Sequence, residues 1–286
     1  MRMHLLAAIP PWEWPSDASD QIQAVLADQT ELGSERLLAA ELAGDLVVMN
    51  DELAQELLRI IGSQGEPSNL RAQAALSLGA ALEEADMFDS GDPDFPTLGE
   101  AMLARSKKAL QACYQDPGVP KEVRRRALEA SVRSEDSWHP GAVRAAYHDG
   151  DREWKLTAVF CMRFVEGFEE EIVETLSSDD ADILYEAILA ARDSQVSEAW
   201  PTVRDLTLSA AAGVPLVPDD PDAERAIVLA AISAVAAIRP LEAAEVLEGL
   251  VDSEDEEYAE AALEALEVMD DLWGLEEDEE DGPTWH

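Results

Sequence analysis

The chain has 286 residues, of which 47% are hydrophobic and 6% aromatic, and it carries 62 acidic side chains against 20 lysines and arginines. The formal net charge of −42 argues against general nucleic-acid binding, because clustered positive charge drives contact with phosphates. Two cysteines cannot form a disulfide framework, so we expect Cys113 and Cys161 to be buried, reduced thiols.

The first fifteen residues are predicted to form an arm rather than a helix. Three prolines interrupt helix formation, while Trp12 and Trp14 offer large apolar surfaces to bury. We favour a cap over the first helix pair, since terminal repeats of helical arrays need atypical caps. A partner-binding peptide is the alternative. The apolar run before Pro10 is too short for a secretory signal, and no run reaches the roughly 18 residues of a membrane span. We therefore expect a cytoplasmic protein.

Residues 16–275 are predicted to form helices in pairs. An apolar residue recurs four positions before a small–apolar pair, most clearly at Val123 before Ala127 and Leu128. A period of about 30 to 45 residues is typical of stacked helix pairs rather than one globular core, and no segment has the alternation of a strand. The first helices are predicted at 19–29, 51–61, 98–115, 141–148, 167–176, 196–211 and 241–251. The second helices are predicted at 35–44, 69–86, 120–133, 151–165, 180–192, 222–238 and 255–272.

Capping residues support several of these boundaries. Ser34, Asn50 and Ser68 are suited to the N-cap position, and Pro120 and Pro221 suit a first helical turn.

Three polar segments interrupt or follow the array. The breaks at 88–97 and 213–221 are longer than the others, and such insertions often lie on a binding face of repeat proteins. Tolerated loop extensions are an equal alternative. Residues 276–286 begin with six consecutive acids and are predicted to be a disordered tail.

The second helix of the third pair resembles that of the HEAT-repeat family, including its bacterial HEAT-like subgroup. The residues that carry the resemblance to the family's Asp-x-x-x-Val-Arg-x-x-Ala-x-x-Ala helix are Asp116, Val123, Arg124, Ala127 and Leu128. The resemblance extends over residues 16–275 through weaker copies. It implies an all-α fold, a right-handed α-solenoid (superhelix) of about seven HEAT-like helix pairs.

The same resemblance implies a ladder of ion pairs between neighbouring repeats, formed by the aspartate and the arginine of the motif. Partial copies place Arg71 and Lys155 at the arginine position. The later copies have Leu184, Val228 and Ala259 there, so we expect the ladder to be broken beyond the fourth repeat.

Charge is unevenly distributed along the array. Residues 1–104 carry 19 acids and 4 bases, residues 105–163 carry 8 acids and 12 bases, and residues 164–286 carry 35 acids and 4 bases. The acidic flanks favour a partner with a basic surface, steered by long-range attraction. An acidic surface that maintains solubility in a salty cytoplasm is an equal alternative.

The basic central segment and its aromatic neighbours supply the candidate binding residues. Arg124, Arg125 and Arg126 point 100° apart on a helix, so they cannot all face one ligand. Internal charge compensation is therefore favoured over an anion or acidic-peptide site. The candidates are Lys121, Arg124, Arg125, Arg152, Trp154, Lys155 and Tyr185.

Motifs for catalysis are missing from the sequence. The four histidines have no metal-ligand spacing, and there is no phosphate-binding glycine loop, Gly-x-Ser-x-Gly or Cys-x-x-Cys. We expect no catalytic residue, cofactor or metal, and a non-enzymatic scaffold or adaptor. Its concave surface, built mainly from second helices, is predicted to bind a protein with a basic patch, as a monomer and without a membrane partner. The alternatives are a HEAT-like lyase or chaperone that binds a pigment or small molecule, and anion or nucleic-acid binding through the basic repeats.

Overall fold

A computed structural model describes residues 3–88, 97–217, 219–238, 243–253 and 255–280, with side chains except at Asp149 and residues 270–280. Within these ranges every regular element is a helix, which confirms the predicted all-α class. The chain forms two compact units, Met1–Ala142 and Val143–His286, called here the N-terminal and C-terminal units.

Fourteen helices of the described part follow the short α1 (Met3–Leu6) as seven consecutive pairs, which confirms the predicted α-solenoid pattern. Observed bounds differ from the predicted ones by a few residues at most ends, as helix termini commonly do. The first helices are α2 (Ala18–Ala27), α4 (Asp51–Gly62), α6 (Glu100–Gln115), α8 (His139–Asp149), α10 (Glu169–Thr175), α12 (Trp200–Ala211) and α14 (Ala243–Val251). The second helices are α3 (Gly33–Leu42), α5 (Ser68–Met87), α7 (Lys121–Ser131), α9 (Arg152–Cys161), α11 (Ala181–Asp193), α13 (Pro221–Ile238) and α15 (Glu256–Glu280).

Each unit consists of two helix layers. In the N-terminal unit α2, α4 and α6 lie side by side, and α3, α5 and α7 pack against them. In the C-terminal unit α9, α11, α13 and α15 form one layer, with α12 and α14 against it. Leucine, isoleucine and alanine fill the interface; Leu53, Leu57 and Ile60 of α4, for example, are fully buried. Each such leucine or isoleucine contributes about 1.5–3 kcal/mol on burial.

A recurrent arginine contact closes three of the helix pairs. Arg36, Arg71 and Arg124 lie near the starts of α3, α5 and α7, and the Nε atom of each donates to a main-chain carbonyl ten residues earlier. The last carbonyls of a helix have no partner within it, and a cation there also stabilises the helix dipole. The acceptors, each the penultimate residue of the preceding helix, are Leu26, Ile61 and Tyr114, at 3.2, 2.9 and 2.8 Å.

Ion pairs also link successive second helices, and here the sequence-based expectation needs correction. The ladder was expected to end at the fourth repeat, yet Arg152 bonds Asp180 at 2.5 Å and Arg225 bonds Asp255 at 3.3 Å. These pairs join repeats four to five and six to seven. Each arginine stands three residues before the family's arginine position, on the same helix face. The position-by-position comparison therefore missed them.

The N-terminal arm packs onto α3. The side chains of Met3 and Leu6 are fully buried, and the Trp14 indole N–H donates to two main-chain carbonyls of the arm at 3.0 and 3.1 Å. The expectation of no helix is wrong for α1, because its four residues precede the prolines. Trp12 is 84% exposed and buries little surface.

Helix starts follow the predicted signals in part. Asn50 is a confirmed N-cap, since its Oδ1 accepts the Leu53 N–H at 2.9 Å. Ser34 and Ser68 lie within the first turns of α3 and α5 rather than at the cap. Asp180 caps α11 through its side chain, which the sequence analysis missed.

Parts of the predicted loops and tail are outside the described residues, namely 89–96, Pro218 and 281–286. Helix α15 continues to Glu280, five residues into the predicted tail. Among the helices described, none is both long and apolar enough for a membrane span.

Candidate functional site

Three predicted site residues lie on α7 in the N-terminal unit, and they point in different directions. Arg124 donates to the Tyr114 carbonyl and places its guanidinium 5.8 Å from the Tyr114 ring centroid. Arg125 is buried, 4.0 Å from Glu129, while Lys121 is exposed at the first position of the helix. The charges of Arg124 and Arg125 therefore face groups of their own unit.

The other four predicted residues lie in the C-terminal unit, and each has a local environment of its own. Arg152 holds Asp180, and its hydrogen bond is the main reason that the pKa of that carboxyl lies below its ordinary value. The Lys155 ammonium lies 4.8 Å from the Tyr147 ring centroid. Trp154 and Tyr185 are half-buried on α9 and α11. None of these four residues lines either depression described below.

His139 is buried and stays in the neutral form. Its Nδ1 accepts the Asp136 N–H at 3.1 Å, and its ring packs against Trp138 at an interplanar angle of 57°, with centroids 4.3 Å apart. Burial lowers the pKa of His139 to about 4. Its environment is that of a packed core histidine.

A first depression, of about 820 Å³, lies in the C-terminal unit between the loops that follow α9 and α11. We call it the loop depression. Arg163 crosses it to Asp193 at 2.6 Å, over the rings of Phe160 and Phe164. Gln195, which also lines it, has a φ of +48°, a left-handed conformation that costs a non-glycine residue roughly 1–2 kcal/mol.

A second depression, of about 450 Å³, runs between α13 and α15, and we call it the α13–α15 groove. Five of its ten lining residues are alanine or serine, whose short side chains leave space between the helices. Its lining residues recur at intervals of three and four, the spacing of one helix face. They are Leu229, Ile232, Ser233, Ala236 and Ala237 of α13, Ala261, Glu264, Ala265 and Val268 of α15, and Gln195.

An acidic stripe borders this groove. Glu260, Glu264 and Glu267 are exposed on α15 at positions i, i+4 and i+7, one residue before Ala261, Ala265 and Val268 of the groove wall. Among the described residues, none of these three glutamates forms an ion pair. Glu264 itself lines the groove, while Glu260 and Glu267 lie about 100° around the helix from Ala261 and Val268, so the stripe runs along the edge of the groove.

The few basic residues of this region have acidic partners of their own. Arg192 and Arg204 each bond the aspartate that follows them at 2.7 Å, and Arg225 bonds Asp255. Arg239 lies outside the described residues. The sequence analysis located the acidic excess but missed the groove, whose only sequence signal is the run of alanines on two consecutive second helices.

Comparisons with known proteins give similarity of structure only. No family model matches the chain, and no curated protein does. The CpcE–CpcF complex of phycocyanin lyase from Nostoc sp. is similar at 17% identity over 91% of this chain and 98% of that one, with a TM-score of 0.47. Human deoxyhypusine hydroxylase is similar at 17% identity over 88% and 96%, with a TM-score of 0.39. An engineered protein is similar at 18% identity over 90% and 98%, with a TM-score of 0.36.

Two of these three structures are named as enzymes, a lyase and a hydroxylase. The expectation from the sequence that this chain is not an enzyme is corrected on that finding.

Proposed function

We propose that this chain binds a protein partner with a basic surface, through the second-helix side of its C-terminal unit. The observation that supports the proposal is the unpaired acidic stripe in a region with 35 acids and 4 bases. The described bases there are already held by neighbouring acids, so internal pairing leaves a large excess of negative charge. Such a field attracts a basic surface and raises its association rate, with an effect that falls as salt rises.

Affinity capture with matched charge variants tests this function. We expect Glu260→Gln, Glu264→Gln and Glu267→Gln together to reduce several-fold the capture of a basic partner that the wild-type chain retains at low salt. The control makes the same change in charge at Glu41, Glu52 and Glu122, which are exposed in the N-terminal unit, and it should retain the partner. Equal capture by all three proteins, measured by quantitative mass spectrometry, would contradict the proposal.

A second candidate function is small-molecule binding in the loop depression. Its volume lies in the 300–1,000 Å³ range of ligand sites, and the left-handed Gln195 at its edge is a strained conformation of the type found at such sites. We expect some compounds of a chemically diverse set to raise the melting temperature of the wild-type protein. The same compounds should leave a Val165→Trp variant, which fills the depression, unshifted. Identical shifts in the two proteins, or none, would contradict this function.

A further inference from the structure

We infer that the α13–α15 groove is the docking site for an amphipathic helix of the partner, with an apolar face and flanking lysines or arginines. This inference rests on the proposed function and adds where the partner binds and in what form. The groove accounts for the apolar face of the partner helix, and the acidic stripe accounts for its flanking basic residues.

The shape of the groove fits a helix. From Leu229 to Ala237 its α13 wall spans nine residues, about 12 Å, or a little over two helical turns. A docked helix can place apolar side chains at i, i+4 and i+7 along that length. Both walls are helices whose main-chain groups are bonded within the helix, so they offer an extended peptide no ladder of hydrogen bonds. A docked helix needs no such ladder, because its main-chain N–H and C=O groups are already hydrogen-bonded within the helix.

The charge around the groove determines which helix fits. Glu260, Glu264 and Glu267 follow the α15 wall over its full length, so cations beside the apolar face of a docked helix would come close to them. Long basic side chains can extend along apolar surface and still keep their charge in water. An apolar helix with acidic flanks would instead bring like charges together.

The same charge disfavours occupants from this chain itself. A symmetric dimer through the groove would place the acidic stripe of one copy against that of the other. The last residues of the chain, with six consecutive acids from Glu276, are also negatively charged, so the acidic stripe would repel them. A basic helix from another protein satisfies both the apolar wall and the stripe.

Fluorescence anisotropy with defined peptides tests the inference. The probe is an 18-residue labelled peptide of leucine and lysine with leucines at i, i+4, i+7 and i+11, and its control has the same composition in scrambled order. We expect the full-length protein to bind the amphipathic peptide at least tenfold more tightly than the scrambled one. Ala237→Phe and Ala261→Phe, which fill the groove without changing charge, should each remove that preference. Ala211→Phe, at an exposed position of α12, should retain it.

The two peptides and the stripe variant together distinguish this inference from the function on which it rests. Glu260→Gln, Glu264→Gln and Glu267→Gln together should weaken binding several-fold and flatten its dependence on salt, with circular dichroism unchanged. Equal, salt-sensitive binding of both peptides would overturn the groove inference and leave the proposed function standing. Lack of binding by either peptide, together with capture unaffected by the stripe variant, would overturn both. A dimer in sedimentation that the groove-filling variants abolish would identify a second copy as the occupant and overturn the inference.

Discussion

Replacement of Glu66 by alanine is expected to lower the free energy of unfolding of the N-terminal unit by about 3–5 kcal/mol. Glu66 and Arg36 are both buried, and the carboxylate accepts two guanidinium hydrogen bonds at 2.6 and 2.8 Å. Removing the carboxylate leaves a buried cation with half of its partners, since Arg36 then has only the Leu26 carbonyl. A buried charge without compensation costs more than the lost contact itself.

Urea unfolding followed by circular dichroism measures this effect. The double variant Arg36→Met with Glu66→Leu should recover most of the loss, because it removes both buried charges and keeps apolar volume. Arg59, 3.6 Å from Glu66, keeps its second partner Glu56 in either variant. Glu122→Ala, at an exposed position of α7, should change stability by no more than about 0.5 kcal/mol. A loss below 1 kcal/mol for Glu66→Ala, or a double variant as unstable as the single one, would contradict the assignment.

The pair also determines how stability responds to acid. Hydrogen bonds from Arg36 hold the pKa of Glu66 below its ordinary value of 4.5. Between the two values the unfolded chain binds more protons than the folded one, so stability falls as pH falls. The contribution is complete above pH 4.5 and is lost as pH drops through the folded-state pKa. Glu66→Gln should lack this part of the acid response, whereas Glu122→Gln should retain it.

Replacement of Gly150 by alanine is expected to cost the C-terminal unit about 2–3 kcal/mol. Gly150 lies between α8 and α9, where an added Cβ would stand 2.3 Å from the Ala146 carbonyl oxygen and 2.3 Å from the Trp154 Cβ. Both neighbours are backbone or close to it, so relief requires movement of the helices. Thermal unfolding by calorimetry should show the loss.

Gly141, which lies in α8 on the N-terminal side of the unit boundary, is the control for this substitution. An added Cβ there meets nothing within 4 Å, so Gly141→Ala should be neutral or stabilise by up to about 1 kcal/mol through lower chain entropy. We therefore expect only Gly150→Ala to destabilise, although Gly150 directly follows the helix in which Gly141 lies. A stabilising Gly150→Ala would show that the turn can widen at little cost.

Helix pairs could be predicted from the sequence because apolar spacing and capping residues such as Asn50 act locally. The ladder arginines were harder to locate. Arg152 and Arg225 reach their acids from one turn earlier than the motif position, so their role depends on packing between helices rather than on register. A motif compared residue by residue contains no information on how neighbouring helices pack, so it could not identify these arginines.

The candidate site could be predicted less well than the fold. The sequence-based hypothesis chose charged side chains such as Arg124 and Arg152 as binding residues. In the structure, Arg124 bonds the Tyr114 carbonyl and Arg152 bonds Asp180, each within its own unit. The α13–α15 groove depends instead on side chains that are too small to fill a gap. Alanine at positions 237 and 261 has the same appearance in sequence as alanine that permits close helix packing.

The contacts that recur along the chain have a consequence for how it folds. The arginine bonds that close helix pairs span ten residues, and the ladder pairs span about thirty. Because these links join only adjacent segments, the entropy of closing each loop is small and structure can propagate from whichever pair forms first. Low contact order of this kind is associated with rapid folding, so a growing chain can consolidate each repeat soon after it leaves the ribosome.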